Sequence, residues 1–292
     1  MELWAVEGVA HCILRCLDVS TIDTVLHVIQ AVPELHGYLQ DGALWTQLSQ
    51  LHFGGRRDAR LQVQGILSPQ NQAPICVELQ LFLQSRGDRR RFHETVTVVE
   101  GDLQHVSDID GAPLDAIVFP TNPHLTNHHV GAAAAVFRRA GPGLEEFVHD
   151  SLFRGARPVA SAVVTPAFDA GVDKLIHCVG PSIMMQECYE LLGATYENAL
   201  NAVLRENLHC VAMASVSTGS LGVSAMIGGR VALRTIQKFL VGSDWQGKIA
   251  IVCKEKRVLQ AFKEGKEAVL KCFNVLPPLP GRLKCFVHVF EE

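Results

Sequence analysis

From Thr95 to Leu270 the chain repeats one grammar: a short apolar run, a loop, then a helical stretch. The runs are Val96–Val99, Ala116–Phe119, Ala162–Val164, Leu175–Val179, Cys210–Ala214 and Ile249–Val252. Between or after them Ala132–Arg139, Leu191–Glu206, Ala225–Leu240 and Val258–Leu270 carry helical patterning. Strands apolar on both faces, alternating with helices, predict a mostly parallel central sheet covered on each side, a three-layer α/β/α unit. Ligands of such sheets sit where loops leave the carboxyl ends of the strands.

The residues before this unit read differently. Val6, Val9, Ile13, Leu14 and Leu17 recur at helical spacing, Ser20 is placed to cap a second helix, and Ile22, Val25, Leu26 and Ile29 face inward until Pro33. A third helix carries Leu39, Leu44, Trp45, Leu48 and Leu51 to Gly54-Gly55. Ser68–Gln72 is turn-rich, Ile75 to Leu83 alternates as a strand would, and Arg86–Arg91 reads as a solvated basic turn. At the far end Pro277–Gly281 forms a spacer and Lys284–Phe290 a last strand. The expected division is an all-α segment over 1–55, a linker and strand over 56–92, and the α/β unit with its C-terminal strand extension over 93–292.

Composition narrows the function classes. With 48% hydrophobic and 19% charged residues the chain buries a core, and a net charge of -4 excludes nucleic-acid binding by bulk electrostatics. The nine cysteines form no Cys-x-x-Cys, as expected of reduced core thiols in a cytoplasmic or nuclear protein, and Met1–Glu7 lacks the basic start of a signal peptide. Asn207–Gly229 contains no charged residue, but its hydroxyls and glycines interrupt it well short of a membrane span.

Three loops could carry chemistry. Asp102, in Gly101-Asp102-Leu103, either accepts a hydrogen bond from a ligand amine or caps a short helix. Pro120 to Gly131 leads into Ala132–Ala135, whose small side chains let a ligand phosphate approach the helix start, or simply pack closely on the sheet. Ser217–Gly222 places two glycines among hydroxyls between a strand and a helix, a backbone anion nest that is neither a Walker loop nor Gly-x-Gly-x-x-Gly. Two anion-suited loops suggest a diphosphate.

In this order the motifs resemble the macrodomain, the module that binds ADP-ribose, over about residues 96–271. Gly101-Asp102-Leu103 is similar to its Gly-Asp-Ile/Leu, Asp115 to Asn122 to its Asp-Ala-Ile-Val-Asn-Ala-Ala-Asn, and Ile176 to Pro181 to its Ile-His-Thr-Val-Gly-Pro. Ser217 to Val223 is similar to its Ser-Thr-Gly-Ile-Tyr-Gly-Tyr/Phe loop, and Val118–Asn122 looks most like the form in macro-type histones. The resemblance implies that Asp102 and Leu103 meet adenine and Asn122 the distal ribose. It implies that His128, Val130, Gly131, Ser217, Thr218, Gly219, Ser220, Leu221 and Gly222 surround the diphosphate. Where hydrolytic members carry Gly-Gly-Gly-Val-Asp-Gly, this chain has Asn127-His128-His129-Val130-Gly131-Ala132, without the carboxylate proposed to activate water.

The expected function is therefore a non-catalytic reader of ADP-ribose or ADP-ribosylated protein, with no cofactor and no metal. The alternatives are an ADP-ribosyl hydrolase using His128 or His129 as base, and a degenerate macrodomain serving as a scaffold. His124, His128 and His129 are read as surface or phosphate-facing residues, since the loop offers no cysteine or acid to complete a metal site. The first helices, with Ile13 to Val19, Ala31-Val32 and Leu44-Trp45, resemble an F-box without its usual Leu-Pro start. That resemblance implies a Skp-family adaptor of a cullin-RING (SCF-type) ubiquitin ligase as partner; the other reading is a helical cap packed on the sheet domain. No membrane or direct nucleic-acid partner is expected.

Overall fold

The computed structural model describes residues 8–57, 73–150 and 155–275. Six strands form the central sheet: β1 (Val96–Glu100), β4 (Ala116–Thr121), β5 (Ala162–Pro166), β6 (Lys174–Val179), β7 (Cys210–Ala214) and β8 (Lys248–Cys253). A two-stranded ribbon, β2 (Asp108–Ile109) and β3 (Ala112–Pro113), lies between the first two. The sheet order is β1-β8-β7-β4-β6-β5, parallel throughout except for the antiparallel edge strand β5. All six strands foreseen from their apolar runs are present.

The strands are apolar on both faces because each face meets a separate core. Val118, Ile176, Val211, Met213, Ile249 and Ile251 point into one cluster; Ile117, Phe119, Leu175, Ala212, Ala250 and Val252 point into the other. This is the period-two alternation of a strand, with both sides buried. The second cluster lies under α5 (Gly131–Ala140) and α6 (Pro142–His149). The first lies under α7 (Cys188–Arg205), α8 (Ala225–Gly242) and α9 (Lys256–Lys271).

The first cluster runs on without a break into the N-terminal helices. α1 (Val9–Cys16), α2 (Val19–Ala31), a 3-10 segment (Pro33–Gln40) and α3 (Gly42–Phe53) contribute Leu14, Ile22, Leu26, Ile29, Leu39, Leu44, Trp45, Leu48 and Phe53 to it. Two details depart from the sequence reading. Asp18, not Ser20, caps α2, accepting from the Thr21 amide at 2.7 Å while the Ser20 hydroxyl donates to the same carboxylate. Leu51 is 53% exposed, because the buried stripe of α3 follows Trp45, Ser49 and Phe53 and slants away from it.

The largest correction concerns residues 75–91. The alternation from Ile75 to Leu83 does not form a strand: Val77–Thr95 is a 19-residue helix, α4, that runs directly into β1. Its buried positions Leu79, Phe82, Ser85 and Phe92 recur at helical spacing, and Phe82 stacks between Trp45 and Phe53. Short apolar alternation is ambiguous, and here the aromatic at an even position decides it. The Arg86–Arg91 stretch is likewise no free turn. Arg89 Nε donates to the Leu270 carbonyl at 2.8 Å, and Arg91 donates to the carbonyls of Leu240 (2.7 Å), Ser243 (2.9 Å) and Trp245. Arg86 lies against Asp23. Arg89 and Arg91 thus satisfy carbonyls at and just beyond the negative ends of α8 and α9, and so lock α4 onto the sheet domain. The expected turn at 68–72, spacer at 277–281 and strand at 284–290 lie outside the described residues. Among the described residues no helix is long and apolar enough to cross a membrane.

Candidate functional site

The carboxyl ends of β1, β8, β7, β4 and β6 open into a cavity of about 710 Å³. Its wall joins the three loops singled out from sequence. Asp102, Leu103, Asn122, Val130, Gly131, Ser217, Thr218, Gly219, Ser220 and Leu221 all lie on it.

At the β1 end, the residues after Asp102 form a turn and not the helix that it was placed to cap. One carboxylate oxygen accepts from the Gln104 amide at 3.0 Å, closing the turn after the strand, and the other accepts from Lys254 Nζ at 2.7 Å. The lysine first, then the amide, hold this carboxyl below the usual carboxylate range. Lys254 also lines the cavity and is missing from the sequence reading. The signal was there: it follows an apolar strand at its carboxyl end, where ligands of such sheets bind.

In the middle, Asn122 organises its own loop. Its Oδ1 accepts from the amides of His124 (3.1 Å) and Thr126 (2.9 Å), while Nδ2 donates to Thr126 Oγ1 at 3.3 Å. The chain then enters α5 through Val130 in an extended conformation and Gly131 at φ 62, with no side-chain cap. The first amides of α5 thus face the cavity beside Ala132–Ala135, as an anion site requires.

His128 and Gly222 are placed differently from expectation, since neither lies on the wall. His128 turns away: Nδ1 bonds the Thr126 carbonyl at 2.9 Å, Nε2 lies 3.4 Å from Glu145, and the ring packs on Phe137. His129 takes the wall position, its ring centroid 3.7 Å from that of His128. Gly222, at φ 78, closes the anion loop from behind through its amide to the Gly219 carbonyl at 3.0 Å. Among the described residues no group of three or more His, Cys, Asp or Glu side chains could hold a metal.

The Ser217–Leu221 loop is anchored beneath. Tyr196, buried on α7, accepts the Val216 amide at its hydroxyl at 2.8 Å; burial pushes that phenol up. Thr218 Oγ1 donates to Ser215 Oγ at 2.7 Å, and Ser217 adopts φ 63, rare for a residue with a Cβ. Two hydroxyls on the wall, Thr121 Oγ1 and Ser217 Oγ, are buried without a hydrogen-bond partner among the described residues. Buried polar groups are seldom left so.

The Macro domain family model matches residues 118–232. A macro domain-containing protein of Listeria monocytogenes is 32% identical over 147 residues, 49% of this chain and 80% of that relative. An O-acetyl-ADP-ribose deacetylase of Shigella dysenteriae is 30% identical over 161 residues, 54% of this chain and 87% of the relative. Among solved structures, a variant of the Oceanobacillus iheyensis macrodomain with ADPR (ADP-ribose) superimposes with a TM-score of 0.53 at 27% identity. That match covers 59% of this chain and 92% of the bacterial one.

Proposed function

The chain belongs to the macrodomain family, and from that premise we propose that its cleft binds ADP-ribose, free or joined to protein, as a non-catalytic reader. The observation that carries this reading is one cavity at the carboxyl ends of the parallel strands whose wall joins Asp102, Asn122, the start of α5 and the Ser217–Leu221 loop. Backbone amides of a loop between a strand and a helix suit phosphate oxygens, and the polar side chains at the strand ends suit ribose hydroxyls. In this assignment Asp102 and Leu103 meet adenine, Asn122 faces the distal ribose, and the backbone from Gly131 and from Ser217 to Leu221 takes the diphosphate. His128 and Gly222 act from behind the wall, the first ordering the loop at Thr126 and the second closing the anion turn.

Reading is favoured over hydrolysis by where the carboxylates stand. Among the described lining residues they are Asp102 and Glu255, both at the β1 and β8 end. None stands by the far end of the cleft to activate water.

Calorimetry with ADP-ribose tests the reading: heat of binding is expected, and no heat with no thermal shift at millimolar ligand would remove it. Release of ADP-ribose from a modified protein would replace reader with hydrolase. Asp102→Ala is expected to weaken ADP-ribose about tenfold to thirtyfold, the ~1.5–2 kcal/mol of one hydrogen bond to a charged acceptor.

The helical segment carries the F-box resemblance, and we assign it docking on a Skp-family adaptor through its outward face, where Val28 and Leu51 are half exposed. Its buried face is already used against the sheet domain, so the full chain is the form to test. Co-purification with a Skp-family adaptor is expected, and its failure with purified components would leave the segment as a cap. A cytoplasmic or nuclear setting is part of the same proposal; the buried cysteines Cys178, Cys188, Cys210 and Cys253 serve as small core hydrophobes.

A further inference from the structure

The sheet order lays the cleft out as a line. Asp102 follows β1 and the Ser182–Met185 turn follows β6, four strand spacings apart, about 19 Å. If adenine lies at Asp102, the reading proposed above and the one on which this inference rests, the distal ribose reaches the β6 end. That sugar is the point where ADP-ribose is joined to a protein, so the carrier polypeptide leaves the cleft there.

The β6 end is ringed by apolar side chains that face solvent. Met184 is 88% exposed, Val130 58%, and Ile183 and Met185 each 38%. The turn that presents them is built, not loose. The Met185 amide donates to the Ser182 carbonyl at 3.0 Å and the Met184 amide to Ser182 Oγ at 3.3 Å. The Ile183 amide donates to the Leu221 carbonyl at 2.9 Å, fastening the turn to the anion loop. Val130 and Met185 line the cleft itself, so the patch is continuous with it. From Pro181 to Gln186 there is no charged residue. A solvated methionine at the tip of a pinned turn, beside a polar cleft, is the kind of adaptable apolar surface that partners cover.

We infer that this rim, centred on Met184, binds apolar residues flanking the modified side chain of an ADP-ribosylated polypeptide, so that the chain prefers conjugates in an apolar sequence context to free ADP-ribose. The ribosyl diphosphate supplies the common anchor, and the rim supplies the choice among carriers. Acidic flanks find no cation from Pro181 to Gln186.

The test compares three ligands by calorimetry on the full chain. They are free ADP-ribose and two peptides ADP-ribosylated at one serine, with leucine and valine flanks in one and glycine and serine flanks in the other. The apolar conjugate is expected to bind about tenfold tighter than free ADP-ribose, and the polar one about equally. Met184→Ser, outside the cleft wall, is expected to leave free ADP-ribose unchanged and to cut the apolar advantage to about twofold. Equal affinities for the two peptides, or an advantage kept in Met184→Ser, overturn the inference and leave the reader function standing. Absence of binding by all three ligands overturns both. A dimer in sedimentation equilibrium that Met184→Ser dissolves would assign the patch to a second copy and also overturn it.

Discussion

Gly180→Ala is expected to weaken ADP-ribose at least about a hundredfold, more than any change to a side chain that faces the ligand. Gly180 follows β6 and passes directly under the anion loop. A Cβ there would lie 2.5 Å from Val216 Cγ1 and still closer to Ser217 Oγ. Neither neighbour can step aside cheaply. Val216 is fully buried with its amide held by Tyr196, and Ser217 already occupies a left-handed backbone conformation. The strain therefore passes into the Ser217–Leu221 backbone, moving the amides that face the diphosphate by a fraction of an ångström to an ångström. Overpacking of this kind also costs about 1–3 kcal/mol of stability, which lowers the melting temperature by several degrees. The two effects separate by ligand. AMP, which spans only the base end and one phosphate, is expected to lose much less affinity than ADP-ribose, whereas general unfolding would cost both equally. Equal losses for AMP and ADP-ribose would show that the anion loop was not the part displaced.

How far the sequence disclosed this site depends on which residues act through type and which through neighbours. The strands were legible because each is short, apolar on both faces and bounded by loops, and only a sheet buried on both sides uses such runs. Ten of the expected ligand-facing residues reach the wall because they sit at strand ends or helix starts, where chain direction alone aims the backbone inward. His128 and His129 could not be told apart in the sequence. What separates them is a carbonyl at Thr126, a carboxylate on α6 and the ring of Phe137, all of which turn one imidazole away. The same holds for the arginines of α4. Four cations in six residues look solvated until α8 and α9 bring their carbonyl ends to meet two of them, Arg89 and Arg91. Lys254 is the converse case, a residue whose position was informative although its type was not, since its work depends on Asp102 at a distance of 152 residues along the chain.

Lowering the pH from 7.5 to 4.5 is expected to cost this protein about 2–3 kcal/mol of stability through His177 alone. His177 lies on β6 with no exposed surface, its ring centroid 4.5 Å from that of Phe119 and its Nε2 paired with Thr165 Oγ1 at 3.0 Å. Its Nδ1 is buried without a partner among the described residues. Protonation would put an unpaired cation among phenyl rings, and burial accordingly pushes the imidazole down from 6.5 to about 3. In the unfolded chain the same group titrates near 6.5. Between the two values the unfolded state holds one more proton than the folded state. Stability then falls as pH falls, by about 1.4 kcal/mol for each unit. The contribution is complete well above pH 6.5 and shrinks toward pH 3. Urea unfolding at pH 7.5 and 4.5 measures the total, to which carboxylates also contribute, so the comparison is with His177→Gln, which keeps a polar atom toward Thr165 and cannot titrate. The variant is expected to start less stable and to lose about 2–3 kcal/mol less on acidification. Carbon chemical shifts of the imidazole give a second readout in the unaltered chain. They should stay those of the neutral ring at pH 5, whereas a ring that charges near pH 6 while the protein remains folded would refute the assignment.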